Sequence, residues 1–184
     1  SALALAIARL AQAHPGIVLA VARDTQSAQA LEVEITAFAG PALPVLHFAD
    51  WETLPYDNFS PHQDIISERL NTLYRLPGIT QGILIVPVPT LMHRLAPTEY
   101  IAGSSLVLQE GQMLDMDRFR INLQRNGYVN VETVYEHGEF ALRGSLLDVY
   151  PMGSELPFRI DMLDDEIDSL RTFEPESQRT VARV

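Results

Sequence analysis

The sequence predicts an α/β protein in two parts: a parallel α/β part over residues 1–100, then a small α+β part over 104–175 with a mainly antiparallel sheet. Three observations carry this. Short apolar runs at 17–22, 44–48 and 82–86 alternate with helical patterns, the arrangement that gives a parallel sheet with right-handed crossovers. Composition shifts over 97–104, where Pro97, Thr98, Gly103 and Ser104 break the pattern. Beyond that point, runs with period-two alternation follow one another, separated by tight-turn residues.

Residues 2–13 read as a helix, and Pro15-Gly16 punctuates its join to a buried strand at 17–22. Asp24 or Thr25 caps a second helix that runs to about Phe38. A strand at 44–48 follows, then a helix over 63–75 with Leu70, Leu73 and Leu76 expected on its inner side. The run at 82–86 is a continuous apolar strand ending at Pro87, and a short helix around 90–95 completes this part.

In the second part 105–109 reads as a strand and 115–126 as a helix, capped by Asp115 or Asp117 and stopped by Gly127. Strands at 139–142 and 145–150 hinge at Arg143-Gly144, where Gly144 supplies the positive φ of a short hairpin. Strands at 156–163 and 167–173 hinge at Asp164-Asp165-Glu166. Alternation places Phe158, Ile160 and Met162 on one face and Arg159, Asp161 and Leu163 on the other. One face can bury against a helix while the other carries arginine into solvent. Residues 176–184 are expected to form a strand or linker leaving toward further sequence.

The chain of 184 residues is 47% hydrophobic and 20% charged, the composition of a folded chain rather than a disordered one. No apolar run reaches membrane-spanning length, and the opening SALALAIARLAQAH is short and carries Arg9, so it reads as an amphipathic helix and not a signal peptide. There is no cysteine, which excludes disulfides, thiolate catalysis and cysteine-based zinc sites and agrees with a cytoplasmic setting. Net charge is −11, from 24 acids against 13 bases, and every base is arginine. Such a chain is a poor binder of the phosphate backbone. Without lysine it cannot form a hydrolytic P-loop, whose lysine reaches the β/γ-phosphates.

Few residues converge on chemistry. The turn at 21–25 is not glycine-rich. The loop 50–64 interleaves Trp51, Tyr56, Phe59 and His62 with acids; a base-stacking platform needs neighbouring cations, so Trp51, Leu54 and Phe59 are expected to fold back onto the sheet edge as an Ω-like loop. His62 near Asp64 is an acid/base candidate for a small hydrolase or nucleotide-binding domain, or else the cap of the helix at Gln63. Asp161, Asp164, Asp165 and Glu166 suggest a hard cation, but the spacing and glycine of a calcium loop are missing and a polar hairpin turn accounts for them. No catalytic, cofactor-binding or metal set is assigned. Arg143 and Arg159 remain, either as strand arginines with covered stems or as a protein-binding pair. The residues alone leave both readings open.

The motif Gly-Glu-Phe-x-x-Arg-Gly at 138–144 leads into a strand ending Tyr150-Pro151, then Phe-Arg-Ile-Asp at 158–161 and Asp-Asp-Glu-Ile at 164–167. This resembles the bacterial module shared by UvrB and the transcription-repair coupling factors. The run DWETLPYD at 50–57, continued by SPHQDIIS at 60–67, narrows the resemblance to the coupling factors, and it covers essentially the whole chain. It implies the amino-terminal, UvrB-like region of a longer protein. Residues 1–100 would be a degenerate P-loop domain resembling UvrB domain 1a; the family's phosphate loop would fall at 1–10, which hold neither glycine nor lysine. Residues 104–175 would resemble UvrB domain 2.

The resemblance further implies a non-catalytic region without cofactors that recruits UvrA for nucleotide excision repair. The full-length family protein resembles an ATP-dependent DNA translocase that displaces stalled RNA polymerase; polymerase and DNA would be held by regions outside this chain, and no membrane is involved. Arg143 and Arg159 match the arginines that contact UvrA. Glu139 and Phe140 belong to the same motif, and Leu163 stands where related factors can carry an aromatic. Arg171 and Asp165 are further candidates. Alanine at Arg143 or Arg159 is then expected to weaken UvrA binding with little change in thermal stability.

Overall fold

The computed structural model describes residues 1–53, 61–103 and 108–184, which divide into two compact units, Ser1–Ala102 and Gly103–Val184. In the first, the apolar runs form β1 (Ile17–Ala22), β2 (Val45–His47) and β3 (Gly82–Pro87). They make a parallel sheet in the order β1-β3-β2. The helices are α1 (Ala2–Ala13), α2 (Thr25–Ala39), α3 (Gln63–Arg75), α4 (Val88–Leu91) and α5 (Thr98–Gly103). Among the described residues no helix is long and apolar enough to cross a membrane.

Small residues set the packing of this unit. Ala4, Ala8 and Ala11 form the buried stripe of α1, and Ala20, Ala22, Ala28, Ile35, Ile83 and Ile85 complete the core. Alanines spaced three and four apart let α1 lie close to α2. Asp24 caps α2, its carboxylate accepting the Ser27 N–H at 2.8 Å. Its pKa falls to about 2, chiefly through a hydrogen bond from the Ser27 side chain and next through this backbone bond. Gln81 closes the other end of α1, its side-chain amide donating to the carbonyls of Ala11, Gln12 and His14. The next residue must be glycine, because a Cβ at Gly82 would lie 2.9 Å from the Pro44 carbonyl oxygen.

Two expectations are corrected in this unit. The buried residues of α3 are Ser67, Arg69 and Thr72, while Leu70, Leu73 and Leu76 are only half-buried. The helix turns its polar stripe inward because it meets backbone carbonyls there. Arg69 donates to Ala49 O, with its guanidinium between the Phe48 and Trp51 rings at 4.1 and 4.0 Å, and Thr72 Oγ1 donates to His47 O at 2.8 Å. The helix expected at 90–95 is the single turn of α4, which starts earlier because proline stands at its first positions. The stretch 97–104, read as a boundary, holds α5, and the two units divide within it, after Ala102. Of the aromatic loop, Trp51 is held by Arg69, while Leu54, Tyr56 and Phe59 lie outside the described residues.

The second unit is a six-stranded sheet in sequence order, β4 (Val129–Asn130), β5 (Glu139–Arg143), β6 (Leu146–Val149), β7 (Phe158–Leu163), β8 (Glu166–Phe173) and β9 (Thr180–Arg183). The β4–β5 pair is parallel and all the others are antiparallel. Helix α6 (Met116–Arg125), capped by Asp115, covers one face. Its Phe119 and Leu123 pack with Phe140, Leu147, Val149, Ile160, Met162, Ile167 and Leu170. A register shift opposite Asp161/Met162 leaves Asp168 unmatched on β8, so Ile167 and Leu170 both reach this core. A smaller cluster of Val134, Ala141, Tyr150 and Phe173 lies on the other face.

Two further corrections concern strands. Of the strand expected at 105–109, residues 105–107 lie outside the described set, and Leu108 and Gln109 are not extended. The segment 176–184 does not leave the unit. Its strand β9 pairs with β8 through Arg171↔Arg183 and Thr172↔Ala182. Glu110 fixes that edge, accepting the Leu170 N–H and both the Nε and Nη2 of Arg183.

His47, at the end of β2, is 8% exposed. Its Nδ1 lies 3.1 Å from Glu32 on α2 and 3.8 Å from Glu68 on α3. The hydrogen bond with Glu32 raises its pKa above the ordinary 6.5, against the opposing effect of burial. His47 therefore holds its proton more tightly folded than unfolded. Its contribution to stability is complete below pH 6.5 and is lost as pH rises through the higher folded value. Urea titrations across that range should show the midpoint falling as pH rises past 6.5, and His47→Gln should flatten the profile.

Candidate docking surface

The open face of the second sheet is organised around one acid. Leu147 and Val149 point into the helix-covered core, so alternation turns Asp148 to the other side of β6. There it is completely buried. An ionised carboxylate without solvent must be paired and hydrogen-bonded, and Asp148 is. Its cross-strand partner on β7 is Arg159, whose Nε and Nη2 donate to the two carboxylate oxygens at 2.7 and 2.8 Å. Arg143 at the end of β5 donates from Nη2 to Oδ2 of the same carboxylate.

Arg159 is fixed on every side. Besides the fork to Asp148 it donates to Gln178 O and Oε1, both at 3.2 Å, and its guanidinium stacks on Phe173 at 4.4 Å. Its side chain is 15% exposed, and the bond to Asp148 raises its pKa. Arg143 keeps 46% of its side-chain surface and makes no second ion pair among the described residues. It immediately precedes the two-residue turn Gly144-Ser145, where Gly144 adopts φ 62°. Two cations on one carboxylate leave a net positive charge, and Arg143 exposes it.

A second pair continues the pattern. Arg171 stands directly opposite Arg159 across β7 and β8, an unfavourable like-charge placement. Each takes its own acid. Arg171 Nη2 donates to Asp161 Oδ2, which also accepts Ser169 Oγ at 2.8 Å. Leu163, 67% exposed, ends β7 on this same side, next to the Asp164-Asp165 turn. On this side Arg143 and Leu163 are exposed and Arg171 keeps 34% of its side-chain surface.

The other expected members have different places. Phe140 is wholly buried in the core behind the sheet, so it shapes the surface from beneath and offers no contact. Glu139 accepts the backbone N–H groups of Tyr135 and Glu136 at 2.8 and 2.9 Å and thereby pins the preceding loop. Asp165 is exposed in the turn, and its carbonyl accepts the Leu114 N–H at 2.7 Å. Arg159 is not the solvated head that was expected. Sequence reasoning missed Asp148, Phe173 and Gln178. An acid inside the apolar strand LLDVY, between two arginine-bearing strands, was the available signal for Asp148.

The catalytic and metal alternatives find less. His62 caps α3, its Nδ1 accepting the Asp64 N–H at 3.3 Å, and the same nitrogen lies 3.2 Å from Asp64 Oδ2, so the two side chains do pair, both exposed. Asp161 is engaged by Arg171 and Ser169. Among the described residues no group of three acidic or histidine side chains is placed to hold a metal ion.

The second unit presents a half-exposed arginine on a buried, ion-paired carboxylate, and comparison with known proteins gives the family in which such a unit occurs. Residues 106–184 match the family described as the UvrB interaction domain. The whole chain is 53% identical to a transcription-repair-coupling factor of Escherichia coli and covers 16% of it. For the factor of the same name from Haemophilus influenzae the identity is 46% over 98% of this chain and 16% of the relative; for that of Myxococcus xanthus it is 35% over 95% of this chain and 15% of the relative. The chain belongs to the transcription-repair-coupling factor family, as the region that carries its UvrB interaction domain, and spans about a sixth of the length of these relatives.

Burial separates the two arginines energetically. Arg159→Ala removes the forked partner of a buried carboxylate, leaving it the single donor of Arg143, and should destabilise the second unit by about 3 kcal/mol. Arg143→Ala leaves the Arg159 fork intact and should cost about 1 kcal/mol or less. Urea unfolding followed by amide resonances of β6 and β7 checks the difference. Equal costs would show that Asp148 does not depend on Arg159.

Proposed function

We propose that this chain is a non-catalytic recruitment module that docks UvrA on the open face of its second sheet. The carrying observation is the pair of arginines gathered on buried Asp148, with Arg143 left half-exposed and Leu163 exposed on the same side of the sheet. Arginine forms bidentate contacts with carboxylates and is enriched at interface hot spots. An arginine already tethered by one nitrogen loses less freedom when a partner engages the rest. The family likeness supplies the partner, since a UvrB interaction domain on a repair-coupling protein fits a surface that imitates UvrB toward UvrA.

In this reading Arg143 and Leu163 touch UvrA, Arg159 and Asp148 hold Arg143 in place, and Glu139 and Phe140 support the strand that carries it. The parallel α/β unit is a degenerate relative of a P-loop domain and works as a scaffold. ATP-driven translocation on DNA and displacement of RNA polymerase belong to other regions of the full-length protein, which acts in the cytoplasm.

Calorimetric titration of UvrA into this chain tests the assignment. Arg143→Ala and Leu163→Asp should each weaken binding at least tenfold, about 1.4 kcal/mol, with unfolding midpoints close to wild type. Unchanged affinity in both variants would remove the site from this face.

A further inference from the structure

Helix α6 has a second, outward face. Burying Phe119 and Leu123 leaves Arg118, Ile121, Asn122 and Arg125 in one exposed stripe, since residues three and four apart share a helix side. Between this stripe and the segment leading into the helix runs an open groove of about 530 Å³. Buried Leu114 and Phe119 floor it, and Met113 and Ile121, 67% and 43% exposed, form its apolar rim. Arg118 and Arg125 stand along it two turns apart, roughly 10 Å along the helix axis.

The charges here are unanswered. The chain carries a net −11, yet among the described residues neither Arg118 nor Arg125 makes an ion pair or a side-chain hydrogen bond. The nearby acids are otherwise engaged: Asp115 caps the helix by accepting the Arg118 N–H at 3.0 Å, and Asp117 lies 3.9 Å from Arg120. Exposed apolar side chains between two free cations, over a buried apolar floor, match a ligand with the opposite charge and the same apolar centre.

We propose that this groove is a second docking site, for an acidic peptide segment with one apolar side chain between two carboxylates. On a helical ligand those carboxylates fall at i and i+7, with the apolar residue at i+3 or i+4. The apolar residue would fill the groove against Ile121 and Met113 while Arg118 and Arg125 take the acids. Helix α6 covers the face of the sheet opposite Asp148, so the two sites can be occupied together, and this one stands without the UvrA assignment.

The test is a titration of the isotope-labelled 184-residue chain with an alanine-based helical peptide bearing Glu at i and i+7 and Leu at i+3, followed by amide resonances. Shifts confined to residues 113–125 are expected. Binding should be at least tenfold weaker for the double variant Arg118→Glu/Arg125→Glu and at least threefold weaker for Ile121→Ser. Arg143→Ala should leave it unchanged, and circular dichroism should show each variant folded. Absence of shifts at millimolar peptide, shifts elsewhere, or binding indifferent to the double variant would overturn the proposal. So would displacement of the peptide from the same amides by a thymidine 12-mer, which would make the groove a phosphate-binding surface.

Discussion

A carboxylate with no access to water needs its charge answered within the fold, and in this chain that requirement organises one face of the second sheet. Asp148 is completely buried in the middle of the sheet. Arg159 answers it with a two-pronged bond, and Arg143 adds a third donor from the neighbouring strand. Buried ion pairs bring little net stability compared with apolar packing, because desolvation offsets most of the attraction. Their effect here is geometric. They set which side chains lie still on the face and which one reaches out. Phe173 and Gln178 extend the constraint by holding the far side of the Arg159 guanidinium.

Much of the fold was legible in the sequence. Helices α1 and α3 and strand β1 have the predicted limits, because caps such as Asp24 and breaks such as Pro15-Gly16 are local signals. The alternation in β7 correctly separated Ile160 and Met162 from Arg159, Asp161 and Leu163. What escaped depends on partners far away in sequence. Arg69 looked like the polar side of an amphipathic helix, and only the carbonyl of Ala49 and the Phe48 and Trp51 rings explain its burial. Arg159 looked like a solvated strand arginine until cross-strand register brought Asp148 opposite it. Periodicity says which face a residue takes; it does not say what waits there.

The two arginines singled out from sequence therefore have unequal roles. Arg143, at a turn, stays half-exposed, whereas Arg159 is consumed by the fold. This division bears on how a loss of binding is read. A change at Arg159 disturbs the sheet and the face together, while a change at Arg143 alters the face alone. In the parallel unit a polar cluster of His47, Glu32 and Glu68 is expected to tie stability to pH through the raised pKa of His47.

The most direct test of this account is a double-mutant cycle in urea unfolding between Asp148→Asn and Arg159→Gln. If the buried carboxylate and its forked arginine form one unit, the two changes should be strongly non-additive, with a coupling of about 2 kcal/mol or more. Additivity within about 0.5 kcal/mol would contradict it, and would mean that Asp148 does not organise the face on which the proposed function rests.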